Sequence, residues 1–420
     1  MITEGGDIDM EEFLKRAKES ASILSTLNGD IKKRVLNQMA DAIEANTNRI
    51  KEHNEIDMAN AREMNLSPAM MDRLLLDDKR IFSMAKAVRE IAALKDPVGR
   101  VLDGWVLDNG LKIEKVSIPI GVIGIIYESR PNVTSDTAAL CFKSSNVCIL
   151  KGGKEAAYSN KIIAQILQEV LEKNSLPKEL ISLLPDSSRE GVAKLIKMDK
   201  YVDLIIPRGG EALIRYVSEN ATVPVVKHDK GLCHTYIDSF ADFDKAIAIA
   251  VNAKVQRPGV CNAMETLLVH KDIANEILPK LFEEFKLYST ELKGCALTRE
   301  IINVAEADEK DFETEYLANI LSLKVVENID EAISHIQKYG SGHSEAIVTE
   351  NYSNAEKFMN SIDAACVYVN ASTRFTDGGE FGFGAEVGIS TNKLHARGPM
   401  GINDLTTYKY KIYGQGQIRE

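Results

Sequence analysis

One cysteine stands in the part of the sequence best suited to nucleophilic chemistry. Cys261 lies in the segment 257–262 (Arg-Pro-Gly-Val-Cys-Asn), between a helix-like run at 243–254 and an apolar run at 266–269 that predicts a strand. Because proline fixes φ and glycine relaxes it, the segment predicts a tight connection. A thiolate held there can attack an electrophilic carbon while N–H groups stabilise the oxyanion. Most free cysteines are small buried hydrophobes, so the rest of the chain must decide between the two interpretations.

The region 118–226 alternates predicted strands and helices, which indicates parallel βαβ units in a doubly wound sheet. A helix is predicted over 135–143, after the first strand. Ligands on such sheets bind beyond the carboxyl ends of the strands. The loops that follow these strands are therefore the places to search for a binding site. The predicted strands are 118–127, 147–150, 181–184, 202–206 and 223–226.

Three of these loops carry cations, glycines or both. They are 128–134 (Glu-Ser-Arg-Pro-Asn-Val-Thr), 151–155 (Lys-Gly-Gly-Lys-Glu) and 207–211 (Pro-Arg-Gly-Gly-Glu). A Gly-Gly pair before a helix is more often plain turn chemistry, and none of the loops is a GxGxxG fingerprint or a P-loop. Three such loops on one sheet edge nevertheless favour a site for a nucleotide or another phosphorylated ligand.

The flanking regions predict further elements. Residues 10–95 show apolar positions at helical spacing, and 105–116 carries an Asn-Gly pair between two strand-like runs, which predicts a hairpin. The stretch 405–413 alternates like a strand and is predicted to pair with this hairpin or with another subunit. A second α/β segment begins near residue 233. It leads to a glycine-rich stretch, 377–388, typical of loops that line active sites.

Composition excludes several classes of function. The net charge of −11 and the lack of a basic block disfavour nucleic acid and anionic membranes as partners. Six scattered cysteines without a CxxC pair disfavour a disulfide framework and a structural metal site, and they favour a reducing cytoplasm. The acidic N-terminus lacks the pattern of a secretory signal.

Four stretches give the chain a family resemblance: 122–134, 257–262, 326–347 and 370–400. In them, and over nearly its whole length, the chain resembles the aldehyde dehydrogenase superfamily, and most closely its acyl-phosphate-reducing branch in proline biosynthesis. The resemblance implies an α/β fold with two doubly wound α/β domains plus a small β oligomerisation arm. The implied ranges are 1–104 and 121–227 for the NADP(H)-binding domain, 228–402 for the catalytic domain, and 105–120 and 403–420 for the arm.

The resemblance also implies an activity and its partners. The expected reaction is NADPH-dependent reduction of L-glutamyl 5-phosphate to L-glutamate 5-semialdehyde, with release of phosphate. A homo-oligomer is expected, and a glutamate kinase could hand over the unstable acyl phosphate.

Individual residues take their expected roles from the same resemblance. Cys261 is the nucleophile and Asn132 the oxyanion donor, while Lys151 and Glu315 match positions that contact the two riboses of the cofactor. The other cofactor candidates are Lys154, Pro207, Gly209 and Gly210. The candidates for the substrate's phosphate and carboxylate are Ser129, Arg130, Arg374 and Arg397, although each arginine could equally form an ordinary ion pair.

Two departures from the wider superfamily refine the expectation. Hydrolytic members place a glutamate before a Gly-Gly pair, whereas the corresponding stretch 227–231 (Lys-His-Asp-Lys-Gly) has none, which suits a thioester that exchanges with phosphate. Lys154 replaces a glutamate common in NAD-preferring members, and a cation there favours the 2′-phosphate of NADP. The alternatives are a hydrolytic NAD(P)-dependent aldehyde dehydrogenase, a catalytically silent nucleotide-binding scaffold and a cysteine hydrolase that uses His228 or His234.

Overall fold

The protein comprises two compact units. The computed structural model describes residues 9–226 and 230–419. The first unit comprises Met1–Lys227, Phe383–Gly388 and Met400–Glu420, and the second comprises His228–Gly382 and Ile389–Pro399. Residues 383–388 and 400–402, which the resemblance assigned to the catalytic domain, thus fall in the first unit.

The chain begins with a run of helices and then alternates strands with helices. Up to residue 226 the elements are α1 (Met10–Leu24), α2 (Gly29–Ala45), α3 (Thr47–Glu63), α4 (Pro68–Leu74), α5 (Asp78–Ala93), β1 (Val101–Val106), β2 (Lys112–Pro119), β3 (Val122–Tyr127), α6 (Asn132–Lys143), β4 (Val147–Lys151), α7 (Ala157–Lys173), β5 (Ile181–Leu183), α8 (Arg189–Leu195), β6 (Leu204–Arg208) and α9 (Glu211–Asn220). From residue 230 they are β7 (Cys233–Ile237), α10 (Phe243–Val255), β8 (Met264–His270), α11 (Lys271–Leu287), β9 (Glu291–Gly294), α12 (Ala296–Ile301), β10 (Ala305–Glu306), α13 (Glu309–Phe312), β11 (Ile320–Val326), α14 (Ile329–Tyr339), β12 (Ser344–Val348), α15 (Tyr352–Ser361), β13 (Cys366–Val369), β14 (Gly388–Ser390), β15 (Gly398–Met400) and β16 (Thr406–Tyr413).

The first unit is built on a parallel sheet with the order β5-β4-β3-β6. Every residue of β3 is buried, as expected for a strand covered on both faces. The predicted strand 223–226 is wrong: the structure has only a single bridge between Ile205 and Val225. Pro224 lies in that stretch and lacks an N–H to donate, which limits ladder pairing there. The predicted strand 118–127 is two strands, since 118–119 belong to β2.

A separate antiparallel sheet has the order β1-β2-β16 and belongs to the same unit. The Asn-Gly hairpin is confirmed, with Gly110 at φ 86° and its N–H donating to the carbonyl of Leu107. The predicted range began too late, because β1 begins at Val101. The C-terminal strand pairs with β2 along its whole length, from Thr406 opposite Pro119 to Tyr413 opposite Lys112. The small β arm is therefore confirmed as a structural element.

The second unit contains a seven-stranded parallel sheet with the order β10-β9-β11-β8-β7-β12-β13. Its central strand β8 is buried throughout, and α10 and α11 pack on one face through a shared apolar core. The segments that enter β7, β8, β11 and β12 all lie at the amino edge of this sheet, since parallel strands begin on the same side. Among the described residues, no helix is long and apolar enough to cross a membrane.

Candidate active site

Cys261 lies on a tight turn, residues 256–263, between the end of α10 and the start of β8. We call this segment the Cys261 turn. The N–H of Ala263 donates to the carbonyl of Val260 at 3.0 Å, which closes the turn. Cys261 is half-buried, whereas the next residue, Asn262, is only 4% exposed. The nucleophile candidate is thus reachable from solvent while the residue beside it anchors the turn.

Two residues that sequence reasoning missed support the backbone of Cys261. A Cβ added to Gly231 would lie 1.8 Å from the carbonyl oxygen of Cys261, so only glycine fits there. The thiol of Cys233 donates to the same oxygen at 3.2 Å. Burial raises the pKa of Cys233 well above its ordinary value, so this thiol keeps the proton that it donates. Both residues lie at the entrance to β7, which neighbours β8 in the sheet.

Arg374 is anchored to the Cys261 turn through Asn262. Its guanidinium donates to the side-chain oxygen of Asn262 and, at 2.8 Å, to that of Gln256. Asn262 in turn donates to the carbonyl of Thr376 at 2.8 Å. Burial lowers the pKa of Arg374, and Arg257 adds to that lowering, while Cys261 is among the groups that raise it. Arg374 is therefore joined to the Cys261 turn by two of that turn's side chains.

A shallow cavity of about 170 Å³ adjoins this arginine. It is lined by Arg374 and Glu380, which are of opposite charge, and by Asn252, Gln256 and Phe375. Opposite charges that line one small cavity suit a ligand that carries both an anionic and a cationic group.

The remaining arginine and serine candidates have other contacts. Arg397 forms an ion pair with Asp363 at 2.8 Å, and together with Lys393, whose hydrogen bond is the larger cause, it lowers the pKa of that carboxyl. The backbone N–H and the hydroxyl of Ser129 both donate to Glu155, at 2.8 and 2.6 Å. Arg130 is exposed. Arg374, unlike Arg397 and Ser129, is hydrogen-bonded to the Cys261 turn.

Three loops follow the adjacent strands β4, β3 and β6 of the first unit, at their carboxyl ends. A Cβ at Gly209 would lie 2.7 Å from the carboxyl of Glu128, so this side chain packs closely on the loop backbone. The N–H of Gly210, at the start of α9, donates to the same carboxyl at 2.9 Å. Pro207 is the penultimate residue of the edge strand β6, where its missing N–H costs little.

The loop after β4 has a similar character. A Cβ on Gly152 would lie 2.1 Å from the amide nitrogen of Asn160, so the loop backbone packs directly on α7. Lys151 ends the strand half-buried, and burial lowers its pKa although Glu155 and Asp186 oppose the change. Lys154 is exposed. The carboxyl edge of this sheet thus combines glycine backbone, the starts of helices and two lysines. Such an edge fits the phosphates and ribose of a dinucleotide.

Asn132 is the first residue of α6, three residues earlier than the sequence predicted for this helix. Its amide donates to the carboxylate of Asp136, one turn along, at 2.9 Å. Burial raises the pKa of Asp136 to about 6, while Asn132, Ser135 and Arg208 oppose the shift. Asp136 thus fixes the orientation of the side-chain amide.

The change Asp136→Asn is expected to stabilise the protein at alkaline pH. The pKa of Asp136 is raised in the folded state, so the free energy of unfolding of the wild type falls as the pH rises from about 4 to 6. Above pH 6 the free energy of unfolding stays at this lower value. Asp136 keeps some exposure to solvent, so we expect a gain of about 1 kcal/mol in the free energy of unfolding at pH 8. Thermal unfolding of the wild type and of Asp136→Asn between pH 4 and 8 measures this difference in stability. A difference that does not shrink toward pH 4 would contradict this origin.

Glu315 lies in residues 313–319, which we call the Glu315 segment. Its carboxylate accepts the N–H of Gly231 at 2.9 Å. Glu315, the candidate for binding the nicotinamide ribose, is therefore in direct contact with Gly231, which supports the backbone of Cys261. Lys230 donates to the carbonyl of Glu313 at 2.8 Å. The sequence predicts no catalytic glutamate in the stretch 227–231. Residues 227–229 of this stretch, which include His228, lie outside the described residues.

His234, an alternative base, is occupied elsewhere. It is 1% exposed and its Nδ1 lies 2.9 Å from the carboxylate of Glu345, which also accepts the backbone N–H of His234. This geometry disfavours the interpretation as a cysteine hydrolase with His234 as base. Across 9–226 and 230–419, no cluster of three or more His, Cys, Asp or Glu side chains could hold a metal ion.

Comparison with known proteins gives consistent matches. The model of the aldehyde dehydrogenase family matches residues 1–293 and 288–410. A γ-glutamyl phosphate reductase of Nitratiruptor sp. is 78% identical over 98% of this chain and 100% of its own length, and one of Sulfurovum sp. is 70% identical over the same shares. The crystal structure of γ-glutamyl phosphate reductase from Thermotoga maritima is 49% identical, with a TM-score of 0.96, and covers 97% of this chain and 99% of its own. The chain belongs to the aldehyde dehydrogenase family, in the group of the γ-glutamyl phosphate reductases.

Proposed function

We propose that the protein reduces L-glutamyl 5-phosphate to L-glutamate 5-semialdehyde with release of phosphate, the second step of proline biosynthesis from glutamate. The observation that carries the proposal is the Cys261 turn: a half-buried thiol whose peptide is supported by Gly231 and Cys233 and whose neighbour Asn262 binds Arg374. A rigidly held cysteine beside a guanidinium suits covalent catalysis on an anionic acyl substrate.

In this mechanism the Cys261 thiolate attacks the acyl carbon of the substrate. The bond from that carbon to the phosphate oxygen breaks, and phosphate leaves with the electron pair, so that a thioester of Cys261 forms. A nicotinamide cofactor, when bound, supplies the hydride. Cys261 is then expelled as a thiolate when the aldehyde forms. Assignment of the oxyanion to the amide of Asn132 stays a prediction from the sequence resemblance.

We assign the substrate's α-carboxylate first to Arg374, because this arginine is hydrogen-bonded to the Cys261 turn and lines a cavity together with Glu380. The substrate carries an α-ammonium and an α-carboxylate, and Glu380 and Arg374 match these charges. Ser129, Arg130 and Arg397 remain candidates on sequence grounds. In the structure Arg397 is paired with Asp363, and Ser129 donates to Glu155.

The cofactor that we propose is NADPH. Lys151, Pro207, Gly209 and Gly210 form the sheet edge that fits a dinucleotide, and Glu315 is the candidate for the nicotinamide ribose. Lys154, exposed beside Lys151, is the candidate for the 2′-phosphate.

Lys154→Glu is expected to shift the cofactor preference from NADPH toward NADH. Loss of a charge-assisted contact and gain of a repulsive charge should change the ratio of kcat/KM for the two cofactors by about 100-fold. Lys161→Glu, at an exposed lysine of α7, makes the same charge change and should leave the ratio within about twofold. Steady-state kinetics with both cofactors measures this. An unchanged ratio in Lys154→Glu would remove the lysine from the cofactor site.

The function itself is tested in the direction of oxidation. The enzyme is given L-glutamate 5-semialdehyde and NADP⁺, and the formation of NADPH is followed while inorganic phosphate is varied from zero. We expect no sustained turnover without phosphate, because phosphate must release the acyl group from Cys261. Undiminished turnover without phosphate, with glutamate as product, would favour a hydrolytic aldehyde dehydrogenase instead. Absence of any NADPH would favour the silent scaffold.

Further expectations concern the cellular setting. A homo-oligomer, a glutamate kinase as partner and a cytoplasmic location stay predictions from the sequence. We propose the antiparallel sheet β1-β2-β16 for subunit contacts. Its outer strands are β1 and β16, and their apolar side chains, such as Val106 and Ile412, are exposed to solvent.

A further inference from the structure

A buried ion pair joins the two ends of the Cys261 turn. Lys254 is the penultimate residue of α10, Glu265 is the second residue of β8, and their charged atoms are 2.7 Å apart. The side chains are 0% and 1% exposed. The pair therefore closes the chain around the nucleophile candidate, with ten residues between its members.

The same carboxylate also binds the Glu315 segment. The second oxygen of Glu265 accepts the backbone N–H of Leu317 at 3.3 Å. Leu317 has φ 52°, a left-handed conformation that is costly for leucine and persists only where the surroundings impose it. Glu265 is one of the groups that impose it.

These contacts connect the ion pair, the Glu315 segment, Gly231 and the Cys261 turn with one another. Leu317 lies two residues after Glu315, and Glu315 accepts the N–H of Gly231. Gly231 in turn packs on the peptide of Cys261, which lies between Lys254 and Glu265 along the chain. A displacement of the ion pair would thus move both the nucleophile and the cofactor candidate.

Stability alone does not account for such a pair. Burial raises the pKa of Glu265 to about 7 and lowers the pKa of Lys254, so the fold disfavours both charges. Buried ion pairs can often be replaced by apolar residues of similar volume without loss of stability. A positioning role explains why a costly pair occupies this place.

We propose that Lys254 and Glu265 are positioning residues that hold the Cys261 turn and the Glu315 segment in one arrangement. The inference rests on the proposed function, since turnover is one of its readouts. Both side chains are buried, so in this proposal the pair acts through the two segments that it joins.

The first test is the double variant Lys254→Met/Glu265→Leu, which replaces the pair by apolar side chains. We expect a folded protein with a melting temperature near that of the wild type, a kcat lowered by about 10- to 100-fold, and Cys261 alkylated by iodoacetamide about tenfold more slowly. Alkylation is read from the mass of the Cys261 peptide and needs neither cofactor nor turnover. A purely structural pair would leave kcat and the alkylation rate at wild-type values once stability is kept, and that result would overturn the proposal.

Glu265→Gln keeps the proposal testable if the double variant does not fold. A glutamine has one acceptor oxygen and one donor amide, so it satisfies either Lys254 or Leu317 and repels the other. We expect it to lower kcat and the alkylation rate by at least about fivefold. Wild-type rates in this isosteric variant would overturn the inference.

A matched control removes an ion pair from the same helix. Lys245 of α10 and Glu350 form an exposed pair at 2.9 Å, and Lys245→Met/Glu350→Gln should leave kcat and alkylation unchanged. An equal loss in this control would overturn the assignment to Lys254 and Glu265. If the wild type itself shows no phosphate-dependent turnover, the proposed function fails, while the alkylation rates still decide the positioning role.

Discussion

Replacement of Cys261 by serine is expected to lower kcat by about 10⁴-fold or more while leaving the affinity for NADPH within about twofold. A serine hydroxyl is a poor nucleophile without a positioned base. His234, one of the two alternative bases, is bound to Glu345 instead. The cofactor candidates other than Glu315 belong to the other unit, so their binding should survive the change. Steady-state kinetics and a fluorescence titration with NADPH measure the two quantities separately.

Cys295→Ser is the matched control for this change. Cys295 is also half-buried and lies in the same unit, before α12, but nothing connects it with the proposed chemistry. The Cys295→Ser variant should have a kcat within about threefold of that of the wild type. Activity retained in Cys261→Ser would exclude the covalent mechanism, and equal losses in both variants would indicate a general effect of removing thiols.

Gly231→Ala is expected to lower kcat by about 100-fold, because the new methyl group would lie 1.8 Å from the carbonyl oxygen of Cys261. Backbone on both sides must move to admit it, and overpacking of this kind costs about 1–3 kcal/mol of stability. The displaced peptide carries the nucleophile, so the loss of activity should exceed what the loss of stability explains. Kinetics well below the melting temperature, together with thermal unfolding, separates these effects.

Gly259→Ala controls for the loss of a glycine from the same turn. A Cβ at Gly259 meets only the carbonyl oxygen of Leu317 at 3.5 Å, an ordinary contact distance. We expect at most about a threefold change in kcat. If Gly231→Ala behaves like Gly259→Ala, the close approach of Gly231 to Cys261 has no catalytic consequence.

Local sequence patterns predicted much of the architecture. The Asn-Gly pair predicted the hairpin because a tight hairpin turn needs positive φ, which Gly110 provides. Alternating strands and helices predicted the parallel sheets, and the Pro-Gly pair before Cys261 predicted a tight connection. Each of these signals depends on residues that are close together along the chain.

The supports of the candidate site depend on residues that are far apart along the chain. Gly231 lies thirty positions before Cys261, and Glu315 lies more than fifty after it, so no local pattern joins them. Because ligands on parallel sheets bind at the carboxyl ends of strands, the sequence predicted a site at the loops after β3, β4 and β6. Cys261, Gly231 and Glu315 instead precede strands, at the amino edge of the seven-stranded sheet. Only the register of β7, β8 and β11 brings them together.

The measurement that tests the central claim most directly is a single turnover without phosphate. The enzyme, concentrated enough for one equivalent of NADPH to be measured, is mixed in phosphate-free buffer with NADP⁺ and an excess of L-glutamate 5-semialdehyde. NADPH is followed by stopped-flow absorbance, and acid-quenched samples are mapped by mass spectrometry. The mechanism predicts a burst of one NADPH per Cys261, a glutamyl group on the Cys261 peptide, and resumption of turnover when phosphate is added. Continuous turnover without phosphate, or a burst with Cys261 unmodified, would contradict it.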